Sequence, residues 1–162
     1  MCGIVGYIGH RNALPIVIEA LKRLEYRGYD SSGCALIHDS ELQLYKKSGK
    51  IIELERSLPE PSRCDGNIAI AHTRWATHGE PNEINAHPHA NCDQSLAIVH
   101  NGIIENYKLL KQQLIDLGHT FISDTDSEVL AHLISQFKKE GISLEDSVRE
   151  AMKRVEGTYG LV

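Results

Sequence analysis

Four blocks of this sequence carry residues whose types do covalent and acid–base chemistry. The chain opens Met1-Cys2-Gly3-Ile4-Val5-Gly6, so removal of Met1 leaves a thiol and a free α-amine on one residue. A nucleophile beside an N-terminal amine is an established solution to activation. The second block is His72-Thr73-Arg74-Trp75-Ala76-Thr77-His78-Gly79, the third His100-Asn101-Gly102, and the fourth Ser123-Asp124-Thr125-Asp126-Ser127-Glu128. Each block also has a plain structural reading. Cys2 can be a small apolar residue at a strand start, and Asn101-Gly102 a turn dipeptide. Thr125 and Glu128 fit a capping box, with Asp126 favouring the helix dipole. Arg74 can be a surface ion-pair residue and His78 a solvated loop residue.

Taken together, the blocks supply complementary chemistry. Amide hydrolysis needs a nucleophile, a proton carrier and donors for a tetrahedral oxyanion. Cys2 offers the first two. A free α-amine titrates at about 7.7–8.0 and a free thiol at about 8.5, so a modest local shift activates such a pair. Asn101 offers a side-chain N–H, and Gly102 lets its own N–H approach a ligand closely. For a zwitterionic amino acid, Arg74 offers bidentate carboxylate binding and Asp126 the counter-charge for an ammonium.

The elements that must hold these residues are strands alternating with helices. Ile4 to Ile8 reads as a buried strand. Asn12 caps a helix with Leu14, Val17, Ile18, Leu21 and Leu24 at helical spacing, ending by Gly28. Ala35 to Ile37 and Leu42 to Tyr45 read as strands joined by a turn at His38-Asp39-Ser40. A short helix near Lys50 to Leu58 follows. Ile68 to Thr73 and Ser95 to Val99 are the next strands, separated by a long polar loop. Leu110, Leu114 and Leu117 mark one helical face closed by Gly118. Thr125 and Glu128 open a helix through Phe137, and Ser143 caps another from Leu144 to Val155. Thr158 to Val162 reads as the opening of a strand. Hairpins and paired helices point to antiparallel sheets with helices outside, not a doubly wound parallel fold.

At 162 residues the length suits one domain. A net charge of −5 argues against nucleic acid as a partner. Apolar runs such as Leu96-Ala97-Ile98-Val99 are too short to span a bilayer, and no signal-peptide pattern is present, so a soluble cytoplasmic protein is expected. Of the cysteines Cys2, Cys34, Cys64 and Cys92, Cys34 lies in an apolar run and reads as core. All four are expected as reduced thiols.

The four blocks, together with Glu25-Tyr26-Arg27-Gly28-Tyr29-Asp30-Ser31, resemble the class II glutamine amidotransferases of the N-terminal nucleophile hydrolase superfamily. The stretch from His72 to His89, HTRWATHGEPNEINAHPH, and that from Val99 to Asn106 are similar to the glutaminase domain of the glucosamine-6-phosphate synthase branch. The resemblance implies an α+β fold: a four-layer α/β/β/α sandwich of antiparallel sheets, C-terminally incomplete at residue 162. It implies that Cys2 attacks the side-chain amide of L-glutamine through a γ-glutamyl thioester, its α-amine carrying the proton. Asn101 and Gly102 match the oxyanion hole. Arg74 and Asp126 match the groups holding the substrate's carboxylate and amine. Thr77 and His78 match further pocket positions, Trp75 a closing loop, and Arg27 a supporting arginine.

No cofactor and no metal are expected. The implied partners are sugar-isomerase domains absent from residues 1–162, in a parent enzyme that is a homo-oligomer. Three other readings stay open: the glutaminase domain of an amidophosphoribosyltransferase or asparagine synthetase, a fragment that binds glutamine without turning it over, and a metal-binding module. The last would use His87, His89 and Cys92 with His72 and His78 near them.

Overall fold

The computed structural model describes residues 2–27, 30–60, 64–75 and 79–162; the side chain of Arg27 lies outside that description. Four strands form the principal antiparallel sheet: β1 (Gly3–Ile8), β2 (Ser31–His38), β3 (Glu41–Ser48) and β4 (Ile68–Arg74), in the order β1-β4-β2-β3. The β2–β3 turn places Asp39 and Ser40 both at positive φ, the backbone that a two-residue hairpin loop requires. β1 is an edge strand, which corrects the expectation of a buried one. Its outward residues stay open, and Ile8 is 76% exposed.

Helix α1 (Ala13–Leu24) begins where the Asn12 side chain accepts the Leu14 N–H at 3.0 Å. Its apolar stripe, Leu14, Val17, Ile18 and Leu21, packs on the sheet with α2 (Ile51–Ser57). Cys34 and Cys64 are buried in the same core, and burial pushes the Cys34 thiol up to about 12. Cys64 therefore belongs to the interior, although its neighbours in the sequence are polar.

The second half supplies two short antiparallel ribbons and three helices. β5 (His89–Ala90) pairs with β6 (Ala97–Ile98), and β7 (His100–Ile104) pairs with β8 (Gly157–Leu161). α3 (Tyr107–Asp116), α4 (Glu128–Lys139) and α5 (Leu144–Arg154) close a second core around Ile104, Leu114, Leu130 and Ile134. The order is thus helices, sheet, strand pairs, helices: an α+β arrangement of antiparallel layers.

Several expectations need correction here. Residues 100–104 form a strand, not a strand end followed by a turn; β8 arrives from far along the chain to pair with it, and local sequence carries no sign of that. The strand expected over 95–99 is short, Val99 instead exchanging backbone bonds with Val162. Leu117 faces solvent, while Leu110 and Leu114 are buried. The loop after β4 turns inward at its end: residues 85–88 are buried, and Lys46 Nζ holds the carbonyls of Ile84 and Ala86 at 3.0 and 2.9 Å. Finally, Thr125 and Glu128 form no capping box. Glu128 reaches back to the Ile122 and Ser123 N–H groups and the Ser123 hydroxyl, while the Thr125 hydroxyl meets His89.

Candidate active site

Register places the first block beside the second. Gly3 pairs with Thr73 across β1 and β4, which carries Cys2 to the end of β4. The Gly3 N–H donates to Thr73 Oγ1 at 3.0 Å. A side chain at residue 3 would meet Leu24 and Thr73 at 2.9 Å, so only glycine lets the strand start lie this close. Cys2 Sγ accepts the Trp75 backbone N–H at 3.2 Å. The thiol also faces the Trp75 carbonyl, at 3.7 Å. Trp75 is 55% exposed, so its side chain is not packed in a core.

The third block enters from β7. Asn101 Nδ2 donates to the Cys2 carbonyl at 3.3 Å, and its Oδ1 accepts the Nε2–H of His72 at 2.9 Å. A carboxamide nitrogen carries two N–H groups, so one remains for a substrate oxygen. Gly102 adopts φ +133°, and a Cβ there would fall on the Thr158 carbonyl of β8. The glycine is thus required both by its conformation and by the neighbouring strand.

Arg74 and Asp126 are both buried, which is unusual for charged residues unless they are paired. Arg74 donates to the Glu80 and Gly79 carbonyls at 3.3 and 3.5 Å. Asp126 Oδ2 accepts the Ile104 N–H at 2.7 Å, which ties the loop before α4 to the strand bearing Asn101 and Gly102. Cys2, Trp75, Arg74, Asn101, Gly102 and Asp126 are therefore joined through β1, β4 and β7. Arg27 closes a 3₁₀ turn (Glu25–Arg27) after α1, its side chain lying outside the described part. Thr77 and His78 lie outside the described residues.

Beneath these residues is a group of imidazoles, His72, His87 and His89, which the sequence reading brought together only as possible metal ligands. His72 stacks on His87 at 4.2 Å, and His87 meets His89 edge-on at 4.5 Å. Burial holds all three neutral: His72 at about 4, His89 at about 3 and His87 well below the ordinary range. Each is engaged with protein: His72 with Asn101, His87 Nδ1 with the His100 N–H, and His89 with Thr125. His87 and His89 do not share a ligand set with Cys92, contrary to the metal-module reading. Alternating polar residues over 85–91, between apolar neighbours, were the available signal of an interior loop.

The family described as the glutamine amidotransferase domain matches residues 59–148. The glutamine–fructose-6-phosphate aminotransferase (isomerizing) of Chlorobaculum tepidum is 52% identical over 99% of this chain, and that of Pyrococcus horikoshii is 51% identical over all of it. The chain spans about a quarter of these relatives, 27% of each. Among solved structures, the glutamine phosphoribosylpyrophosphate amidotransferase from B. subtilis complexed with ADP and GMP has a TM-score of 0.80 at 32% identity. It is matched over 99% of this chain and 34% of its own. The structure titled as the allosteric regulatory enzyme of purine biosynthesis has a TM-score of 0.83 at 33% identity, with the same coverage. The chain belongs to the glutamine amidotransferase domain family.

Proposed function

We propose that this chain hydrolyses the side-chain amide of L-glutamine, with Cys2 as nucleophile. The observation that carries the reading is the Cys2 corner itself: sulfur held by the Trp75 N–H, with the Asn101 amide bonded to the same residue. With Met1 removed, the Cys2 α-amine takes the thiol proton as Sγ attacks the amide carbon. The oxyanion that forms is held by the free Asn101 N–H and the Gly102 N–H. Collapse returns the proton to the leaving nitrogen, breaks the C–N bond and releases ammonia, leaving a γ-glutamyl thioester. Water, deprotonated by the same amine, then attacks the thioester and frees glutamate and the thiol.

Arg74 binds the substrate α-carboxylate and Asp126 its α-ammonium; the Asp126 carboxylate keeps lone pairs beyond the one used by Ile104. By the family resemblance, Thr77, His78 and Trp75 are assigned further substrate-binding roles and Arg27 a supporting one; Thr77, His78 and the Arg27 side chain lie outside the described residues. No metal or cofactor takes part in these steps.

In the whole protein, the ammonia aminates fructose-6-phosphate in sugar-isomerase domains beyond residue 162, in a cytoplasmic homo-oligomer. Identity of about half to the fructose-6-phosphate enzymes, against about a third to the phosphoribosylpyrophosphate enzyme, favours this acceptor. Among the described residues no helix is long and apolar enough to cross a membrane. The test is glutamate release from glutamine by the purified chain and by its Cys2→Ala form. The account expects turnover only in the first, and equal rates would refute it.

A further inference from the structure

A second convergence of reactive atoms lies away from Cys2, where the cysteine of the β5–β6 loop meets two histidines of the second core. Cys92 Sγ stands 3.9 Å from His119 Nδ1 and 3.6 Å from His132 Nδ1, and the two Nδ1 atoms are 3.1 Å apart. The three residues are separated by 27 and 40 positions from Cys92, which is why spacing along the sequence gave no sign of them.

The outer partners of the two rings fix where their protons lie. His132 Nε2 faces the Glu128 carboxylate at 3.3 Å, which accepts and never donates when ionised, so the ring carries its proton on Nε2. His119 Nε2 faces Gln136 Oε1 at 3.0 Å. The Gln136 amide cannot present its nitrogen instead, because that nitrogen donates to Glu140 Oε1 at 3.1 Å. Both Nδ1 atoms therefore face one another and Cys92 Sγ. The Thr120 N–H donates to Cys92 Sγ at 3.4 Å, and the thiol in turn faces the Thr120 carbonyl at 3.8 Å. Three atoms of metal-ligating type thus converge on one point, where a metal ion can take the place of the thiol proton.

We propose that Cys92, His119 and His132 bind one divalent transition-metal ion of the zinc type through Sγ and the two Nδ1 atoms. A tetrahedral ion with bonds of about 2.0–2.1 Å to nitrogen and about 2.3 Å to sulfur holds its nitrogens about 3.3 Å apart and nitrogen and sulfur about 3.6 Å apart. The three observed separations lie within a few tenths of an ångström of those values. Glu128 and Gln136 occupy the outer positions that orient metal-bound imidazoles. Cys92 is exposed, and both it and His132 line a cavity of about 500 Å³, so the fourth position is open to water. Lys46, which lines the same cavity, is held by the Ile84 and Ala86 carbonyls. Loading releases the thiol proton to solvent and five of the six waters of the aqueous ion, which keeps one in the fourth position.

The ion would join three separate segments: the β5–β6 loop, the turn after α3, and α4. α4 starts two residues after Asp126, so the site braces the helix that carries the fourth block without touching substrate.

The test is titration of the metal-free 162-residue chain, under reducing conditions, with Co²⁺ as probe. The expected result is one ion per chain, with a thiolate-to-cobalt charge-transfer band and the strong visible bands of tetrahedral Co²⁺, all displaced by Zn²⁺. Cys92→Ser should abolish the charge-transfer band, His119→Gln should weaken zinc binding at least tenfold, and Cys2→Ala should leave both unchanged. Zinc should raise the unfolding temperature of the parent chain and not that of Cys92→Ser. X-ray absorption on the zinc-loaded parent chain gives a readout that needs no variant: one sulfur and two imidazoles in the first shell. Absence of stoichiometric binding, a charge-transfer band that survives Cys92→Ser or vanishes in Cys2→Ala, or a first shell without sulfur would overturn the proposal.

Discussion

His72 donates its Nε2–H to Asn101 Oδ1 across 2.9 Å, and that bond decides which way the Asn101 amide faces. With oxygen pinned toward His72, nitrogen turns toward Cys2. His72 does this with a proton on Nε2, and burial keeps the ring neutral by lowering its pKa to about 4. An interior imidazole thus acts as a positioning residue for a group beside the nucleophile.

That relationship predicts a kinetic signature. Asn101→Ala should lower kcat about 10²–10³-fold, the usual loss for one oxyanion donor. His72→Phe should lower kcat at least about tenfold with little change in KM, since the amide is misaimed rather than removed. His72→Gln, which can still donate, should recover part of the rate. The double variant should be no worse than Asn101→Ala alone, because both changes act through one group. Additive losses would mean that His72 acts by another route.

Stability should fall with acid well above the carboxylate range. In the unfolded chain His72, His87 and His89 each take up a proton near pH 6.5, whereas burial keeps all three neutral in the fold. The unfolded state therefore binds more protons below about pH 6.5. Each ring then contributes up to about 1.4 kcal/mol of lost stability per pH unit, until the pH nears its own folded pKa. Guanidinium unfolding should show a clearly lower midpoint at about pH 5.5 than at about pH 7.5. Equal midpoints would contradict the neutral imidazole core.

Gly102 is open to a direct substitution. Gly102→Ala forces a side chain onto φ +133° and onto the Thr158 carbonyl. Backbone strain of this kind costs about 1–3 kcal/mol, before any separation of β7 from β8 is counted. Chemical denaturation should register at least that loss. A neutral change would mean that β8 does not press on β7 as described.

Glu128 ties the loop that presents Asp126. Burial alone would raise its carboxyl, but hydrogen bonds from His132, Ser123 and the Ile122 and Ser123 N–H groups outweigh this and hold it at about 2. Glu128→Ala should leave those loop donors unpaired, at about 1–3 kcal/mol per buried group. Because Asp126 is two residues away, KM for glutamine should rise with it. A lowered stability with unchanged KM would separate the loop anchor from the substrate site.

How much of this was legible beforehand differs by residue. Cys2, Arg74, Asn101, Gly102 and Asp126 stood out as candidates because their compact blocks offer complementary chemistry, although each residue alone also has a structural reading. Helices α1 and α5 were readable from local signals: Asn12 and Ser143 cap them through hydrogen bonds made within three residues. What stayed hidden depends on partners distant in the chain. The β7–β8 pairing joins residues 100–104 to 157–161, and no local pattern encodes it. Glu128 and Thr125 have the spacing of a capping box, yet tertiary partners, the loop amides and His89, take their side chains instead. The sequence reading set Cys92 beside His87 and His89 and gave His119 and His132 no role, because the three meet only when distant segments fold together.

The most direct test of the central claim is the intact mass of the purified chain before and after treatment with 6-diazo-5-oxo-norleucine, a glutamine-derived electrophile. The account predicts a starting mass without Met1, then a single adduct that maps to Cys2 and is suppressed by glutamine. A folded, Met-free chain that takes up no adduct, or takes it up on another thiol, would contradict Cys2 as the activated nucleophile.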